Sequence, residues 1–150
     1  VDIDALNFIK LILFKKITKI TYNMSSTKKI LIQQIDNLIN ELCTTFPHFT
    51  DIILFREKFI LLKSANSGLI VEYFIQNIYP YKDIILKENE DFFLNGGGQE
   101  EIKENSGIKL RDNIKSLWVS EMSPQNKEIV WKYFKTFVLL CEKYIIENMK

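Results

Sequence analysis

An all-α fold, a single bundle of about five helices, is what this sequence predicts, and three observations carry the prediction. Apolar residues recur at steps of three and four through nearly every segment. Glycine and proline number only five and three, and they fall at interruptions of that pattern. No Asn-Gly pair lies between two alternating runs as a hairpin requires, and there is no glycine-rich nucleotide loop. Helix-on-helix packing is then the way to bury the apolar faces.

The chain opens on "ALNFIKLILFKKI", which Lys10 interrupts and which is too short for a membrane span. No basic region precedes it and no small-residue cleavage site follows, so it does not read as a secretory signal. Residues 1–23 carry four lysines against two aspartates, whereas the rest carries 16 basic and 17 acidic side chains. Met24 marks this seam, with Ser25 and Ser26 placed to cap a helix beginning near Thr27. Residues 1–23 are therefore expected to be an upstream or non-core extension, and residues 24–150 the single helical domain.

Within that domain Leu31, Ile35, Leu38 and Leu42, with Ile30 and Ile39 beside them, fall on one helical face that Phe46-Pro47 ends. Thr50 and Asp51 offer a cap to "IILFREKFILLK", where Ile52, Phe55, Phe59 and Leu62 keep the spacing and Asn66-Ser67-Gly68 breaks it. The next run, "LIVEYFIQNIYP", contains strand-favouring residues. Its Leu69, Ile70, Tyr73, Phe74 and Ile78 nevertheless make a helical stripe, which Pro80 stops. Residues 81–95 read as a short helix and a second turn-like piece. The segment around 95–107, with "GGGQEE" at its centre, reads as a flexible acidic loop. Leu110, Ile114, Leu117 and Trp118 define the next helix. Ser123-Pro124 starts the last one, which presents Val130, Phe134, Phe137, Val138, Cys141, Tyr144 and Ile145. A closing pair of helices buries too little alone, so the parts flanking the loop should share one core.

A net charge of +1 with 26% charged and 47% hydrophobic residues is the balance of a globular protein, not of a polybasic arm or disordered tail. Cys43 and Cys141 stand far apart in apolar helical surroundings, which suggests no disulfide framework and a reducing, intracellular setting.

Catalytic and cofactor patterns do not assemble. A calcium loop counted from Asp91 would place Phe93 at the third position and Ile102 at the twelfth, where oxygen ligands are needed. "GGGQEE" lacks the third glycine and the preceding strand of a dinucleotide fingerprint, and no Gly-Lys-Ser or Gly-Lys-Thr is present. His48 is the sole histidine, and neither Cys-x-x-Cys nor His-x-x-x-His spacing occurs, so no zinc site is predicted. A Cys43/His48 nucleophile pair would have to bridge Phe46-Pro47 with nothing to supply an oxyanion hole. Asp83, Glu88, Glu90 and Asp91 lie in a polar turn that suits solvated charge better than acid–base work. The expectation is a non-enzymatic chain with no cofactor.

Two binding surfaces remain as candidates. Phe92 and Phe93, beside the acidic glycine segment, are candidate contacts for a protein partner; the competing reading is that the pair plugs one end of the bundle. Lys28, Lys29, Lys132 and Lys135, the last two flanking Tyr133 near Trp131, are candidate nucleic-acid contacts. Glu121, Glu128 and Glu142 dilute that basic region.

Phe46-Pro47, the turn from Tyr79 to Asp83, the Asp91–Phe93 element and the closing Asn126–Tyr133 stretch occur here in that order. In this the chain resembles small, uncharacterised helical proteins encoded by nucleocytoplasmic large DNA viruses. The resemblance covers most of residues 24–150 and none of 1–23, and AT-rich viral genomes would produce the heavy use of Ile, Lys, Asn and Phe. It implies a viral origin and action in the host cytoplasm or a virus factory, and brings no assigned activity. The resulting expectation is a protein-interaction or structural module; the alternative is a nucleic-acid-associated factor in viral transcription or replication.

Overall fold

A computed structural model describes residues 7–16, 26–95 and 109–149, and their regular elements are all helical, without a strand. Helix α1 spans residues 7–16. It is followed by α2 (Thr27–Thr45), α3 (Thr50–Asn77), a 3-10 turn (Tyr79–Tyr81), α4 (Lys82–Leu86), α5 (Asp91–Leu94), α6 (Leu110–Ser120) and α7 (Pro124–Asn148). The predicted all-α bundle is the architecture observed. The acidic glycine loop and the Met24 seam lie outside the described residues.

Local chemistry explains most of the boundaries. Ser26 caps α2, its Oγ accepting from the Lys29 amide at 3.1 Å. Ser123 caps α7 in the same way, accepting from the Asn126 amide at 3.2 Å, with Pro124 in the first turn. Helix α3 departs from the expected cap: Phe49 occupies the N-cap without a side-chain bond, and Asp51 contributes its negative charge to the first turn instead. Helix α3 runs through the predicted break at Asn66–Gly68, but Asn66 leaves helical geometry (φ −160°, ψ 81°), so two straight segments meet at a kink. Helix α4 ends where Glu88 adopts left-handed φ (54°), letting the Glu88 and Asn89 amides donate to the Ile85 and Ile84 carbonyls at 3.0 Å.

Helix α7 is the hub. It packs on α2, α3, α4 and the 3-10 turn, and α2 and α3 pack on each other. Helix α2 runs antiparallel to it: Thr27 at the start of α2 is buried and donates its hydroxyl to Glu147 near the end of α7, at 2.8 and 2.9 Å to the two carboxylate oxygens. The helices flanking the loop share one core, as pair-plus-triplet packing requires. Its α2 contribution is Ile30, Leu31, Ile35, Leu38, Ile39 and Leu42, the stripe the spacing predicts.

The other half of the core is aromatic. Phe93 sits 4.5 Å from Trp118, 5.0 Å from Trp131 and 5.1 Å from Phe134, centroid to centroid, in stacked, tilted and edge-on arrangements respectively. Phe92 joins Tyr81 at 5.7 Å to Phe134 at 5.5 Å. Arg111 is drawn into this cluster, its guanidinium 5.3 Å from the Tyr81 ring and 5.4 Å from the Phe92 ring. Ring contacts thus fasten the 3-10 turn, α5, α6 and α7 together.

Candidate functional site

The aromatic cluster corrects the partner-contact reading of Phe92 and Phe93. They are 0% and 1% exposed, so they close the bundle and offer no surface to a partner. The physical reason is tertiary: α6 and α7 bring Trp118, Trp131 and Phe134 over a pair whose own segment is polar. Trp131 is likewise core.

The four candidate lysines do not form one patch. Lys28 and Lys29 stand at the start of α2, beside the Glu147 end of α7. Lys132 lies 15 residues earlier on α7, about 20 Å away at the helical rise. There burial pushes its ammonium below the ordinary lysine value, against the pull of Glu128 and Glu41. Lys135 is ion-paired with Glu88 at 2.8 Å. A phosphate backbone would meet an interrupted surface rather than a continuous basic face.

Titratable groups around α4 to α7 and at the α2–α3 contact join helices: Glu90, Lys127, Glu142, Lys82 and Lys63. Glu90 accepts from the Trp118 indole at 3.0 Å and from Lys127 at 3.4 Å, and Lys127 also lies 5.1 Å from the Trp118 ring centroid. Glu142 accepts from Lys82 at 2.9 Å and from the Tyr79 hydroxyl at 3.2 Å, fixing the 3-10 turn and α4 to α7. The Lys82 hydrogen bond holds the Glu142 carboxyl below the usual carboxylate range. Burial, followed by the Glu142 charge, raises the Tyr79 phenol. Lys63 reaches Asp36 at 2.7 Å, tying α3 to α2.

Cys43 and His48 go separate ways. The Cys43 thiol donates to the Ile52 carbonyl at 3.8 Å, and burial raises its pKa although Arg56 pulls the other way. His48 pairs with Glu121 at 2.8 Å on the surface. Cys141 is fully buried, and burial pushes its thiol up to about 12. Neither thiol is poised as a thiolate at neutral pH. Among the described residues no group of three His, Cys, Asp or Glu side chains is placed to hold a metal ion.

Two apolar surfaces have no counterpart among the predicted site residues. One is a groove of about 810 Å³ between α1 and the second half of α7, lined mainly by Leu11, Leu13, Phe14, Leu139, Leu140 and Ile146. Its one hydroxyl, on Thr136, donates to the Lys132 carbonyl at 2.9 Å, and the lining contains neither cysteine nor histidine. The other is the outward side of the first segment of α3. There Leu54 is 50% and Leu61 71% exposed, with Ile60 partly open on the flank, while Ile52, Phe55 and Phe59 on the opposite side are core. The signal for this second surface was present in "IILFREKFILLK": the run is apolar on two faces, and one neighbouring layer covers only one of them. No helix among the described residues is long and apolar enough to cross a membrane. No family model, curated protein or solved structure matches the chain.

Proposed function

We propose that the chain is a non-enzymatic protein-interaction module whose contact surface is the outward face of the first segment of α3. The observation that carries the reading is the exposure of Leu54 and Leu61, seven residues apart on one side of a helix whose other side is already in the core. Clustered large apolar side chains on one helix face are the usual mark of a docking surface, and a helix presents them in a fixed register. A viral origin belongs to the same proposal, supported by the resemblance carried by Phe46-Pro47, Tyr79–Asp83, Asp91–Phe93 and Asn126–Tyr133. Action in the host cytoplasm or a virus factory goes with it.

Affinity capture with the full chain and with a Leu54→Asp/Leu61→Asp variant, with and without nuclease, tests the reading. A protein retained by the parent chain after nuclease and lost by the variant supports it. Equal retention by both overturns it, and partners that vanish with nuclease transfer the assignment to nucleic acid.

A further inference from the structure

We infer that the partner of this face is a second copy of the same chain, docked antiparallel along the first segment of α3; the inference rests on the interaction-module reading and names its occupant. Thr50, Leu54, Glu57, Lys58, Leu61 and Ala65 follow one another at steps of four, three, one, three and four, which places them on one stripe of the helix. All six are exposed. The stripe faces away from α2, which the other flank of the helix engages through Lys63 and Asp36.

The stripe is chemically palindromic: small, leucine, acid, base, leucine, small. A two-fold axis between Glu57 and Lys58 sets Leu54 of one copy against Leu61 of the other, Glu57 against Lys58, and Thr50 against Ala65. Every contact then occurs twice, as an isologous interface demands. Neither Glu57 nor Lys58 has an ion-pair partner among the described residues. A parallel, in-register pairing would oppose Glu57 to Glu57 and Lys58 to Lys58, so the charges select the antiparallel arrangement. The seam also fits the element. It begins with the first residue of α3 and ends one residue before the kink at Asn66, about 24 Å of straight helix at the usual rise.

A single helix pair makes an interface below the standard size, so the dimer is a concentration-dependent one. Sedimentation velocity on the full chain, from about 1 µM to about 1 mM, the range that small interfaces populate, reads it directly. The expected result is a mass rising from that of the 17.7 kDa monomer toward its double. Glu57→Lys and Lys58→Glu variants are each expected to dimerise at least about tenfold more weakly, because like charges then face each other. Mixing the two single variants is expected to restore association, since each supplies the charges the other lacks. Circular dichroism melts control for folding, and these exposed substitutions leave the melt unchanged. A chain that stays monomeric throughout, or one whose self-association ignores both charge changes, overturns the inference. If the monomeric chain still captures a protein that Leu54→Asp/Leu61→Asp loses, the self-docking inference falls while the interaction-module reading stands; if no capture depends on that face, both fall.

Discussion

Phe93 gathers rings from two helices around one buried side chain, and its removal has no nearby group to fill the space. Phe93→Ala is expected to cost about 3–5 kcal/mol, the range for emptying a packed aromatic site, whereas Leu61→Ala on the open face of α3 should stay within about 0.5 kcal/mol. Urea unfolding of both variants, with unchanged m, checks the contrast. The buried ionisable groups set a second residue-scale prediction. Cys141 is pushed up to about 12 by burial, and burial followed by Glu41 raises the Tyr133 phenol. A group with a raised folded pKa holds its proton more tightly when folded. Its contribution is therefore complete below the unfolded value, about 8.5 for a thiol and about 10 for a phenol, and is lost as pH climbs through the folded value. Lys132, lowered by burial, works in the opposite sense, while Glu142, held down by Lys82, matters only as pH falls through the acid range. Urea midpoints should fall between about pH 8 and 11, and Cys141→Ala should flatten that slope. In the native state at neutral pH a thiol reagent should leave Cys141 unmodified until the chain unfolds. What could be read of these residues beforehand was their helical face. The reading in which Phe92 and Phe93 plug one end of the bundle agrees with their burial. Their partners and the depth of Arg111 could not be read, because these are created by Trp118, Trp131, Phe134 and Tyr81, which are adjacent only after folding.

Among the elements, α2 and α7 were the most legible because spacing and capping agree in both: the serine caps at Ser26 and Ser123 are where the pattern of each helix begins. Helix α3 was less so. Its Asn-Ser-Gly signal is a real interruption, but core contacts on both sides of it, Phe59 before and Ile70 after, keep the chain helical with a kink instead of opening a loop. The Glu88 turn had no signal at all, since glycine is the usual marker of left-handed φ and a glutamate stands there. The caps support a prediction at this scale. Ser123→Ala removes the acceptor of the Asn126 amide and should cost about 1 kcal/mol, whereas Ser123→Gly should cost only a few tenths. Ser26→Ala should cost a similar amount at the other end of the bundle. Ser26 is next to the Thr27–Glu147 contact while Ser123 begins α7, so the two sites share no partner and the double variant should be additive within about 0.5 kcal/mol. Thermal or urea unfolding of the three serine-to-alanine proteins closes that cycle.

On the scale of the whole molecule, helix α1 and the body it rests on are unequal partners. Phe8, Ile9, Leu11, Ile12 and Phe14 are all between 47% and 62% exposed, and Leu13 is the α1 side chain that packs, half-buried, against the shared core. The body's own contacts, by contrast, tie its parts together without α1: α2 to α7 through Thr27 and Glu147, α4 to α7 through Lys82 and Glu142, and α5 to α6 through Phe93 and Trp118. Of the described residues, removing 1–23 takes from the core the partly covered Leu13, together with the groove lining of Leu11 and Phe14 beside Leu139 and Leu140, while leaving every one of those ties in place. Burying a whole leucine contributes roughly 1.5–3 kcal/mol, so a half-buried one sets the expected loss at about 1 kcal/mol. A chain spanning 24–150 should accordingly keep a single cooperative urea transition and the helical circular dichroism of α2 to α7, with a midpoint only modestly below that of the full chain. A broad, non-cooperative transition would instead make α1 a structural member of the bundle, and the groove along α7 the seam by which it belongs.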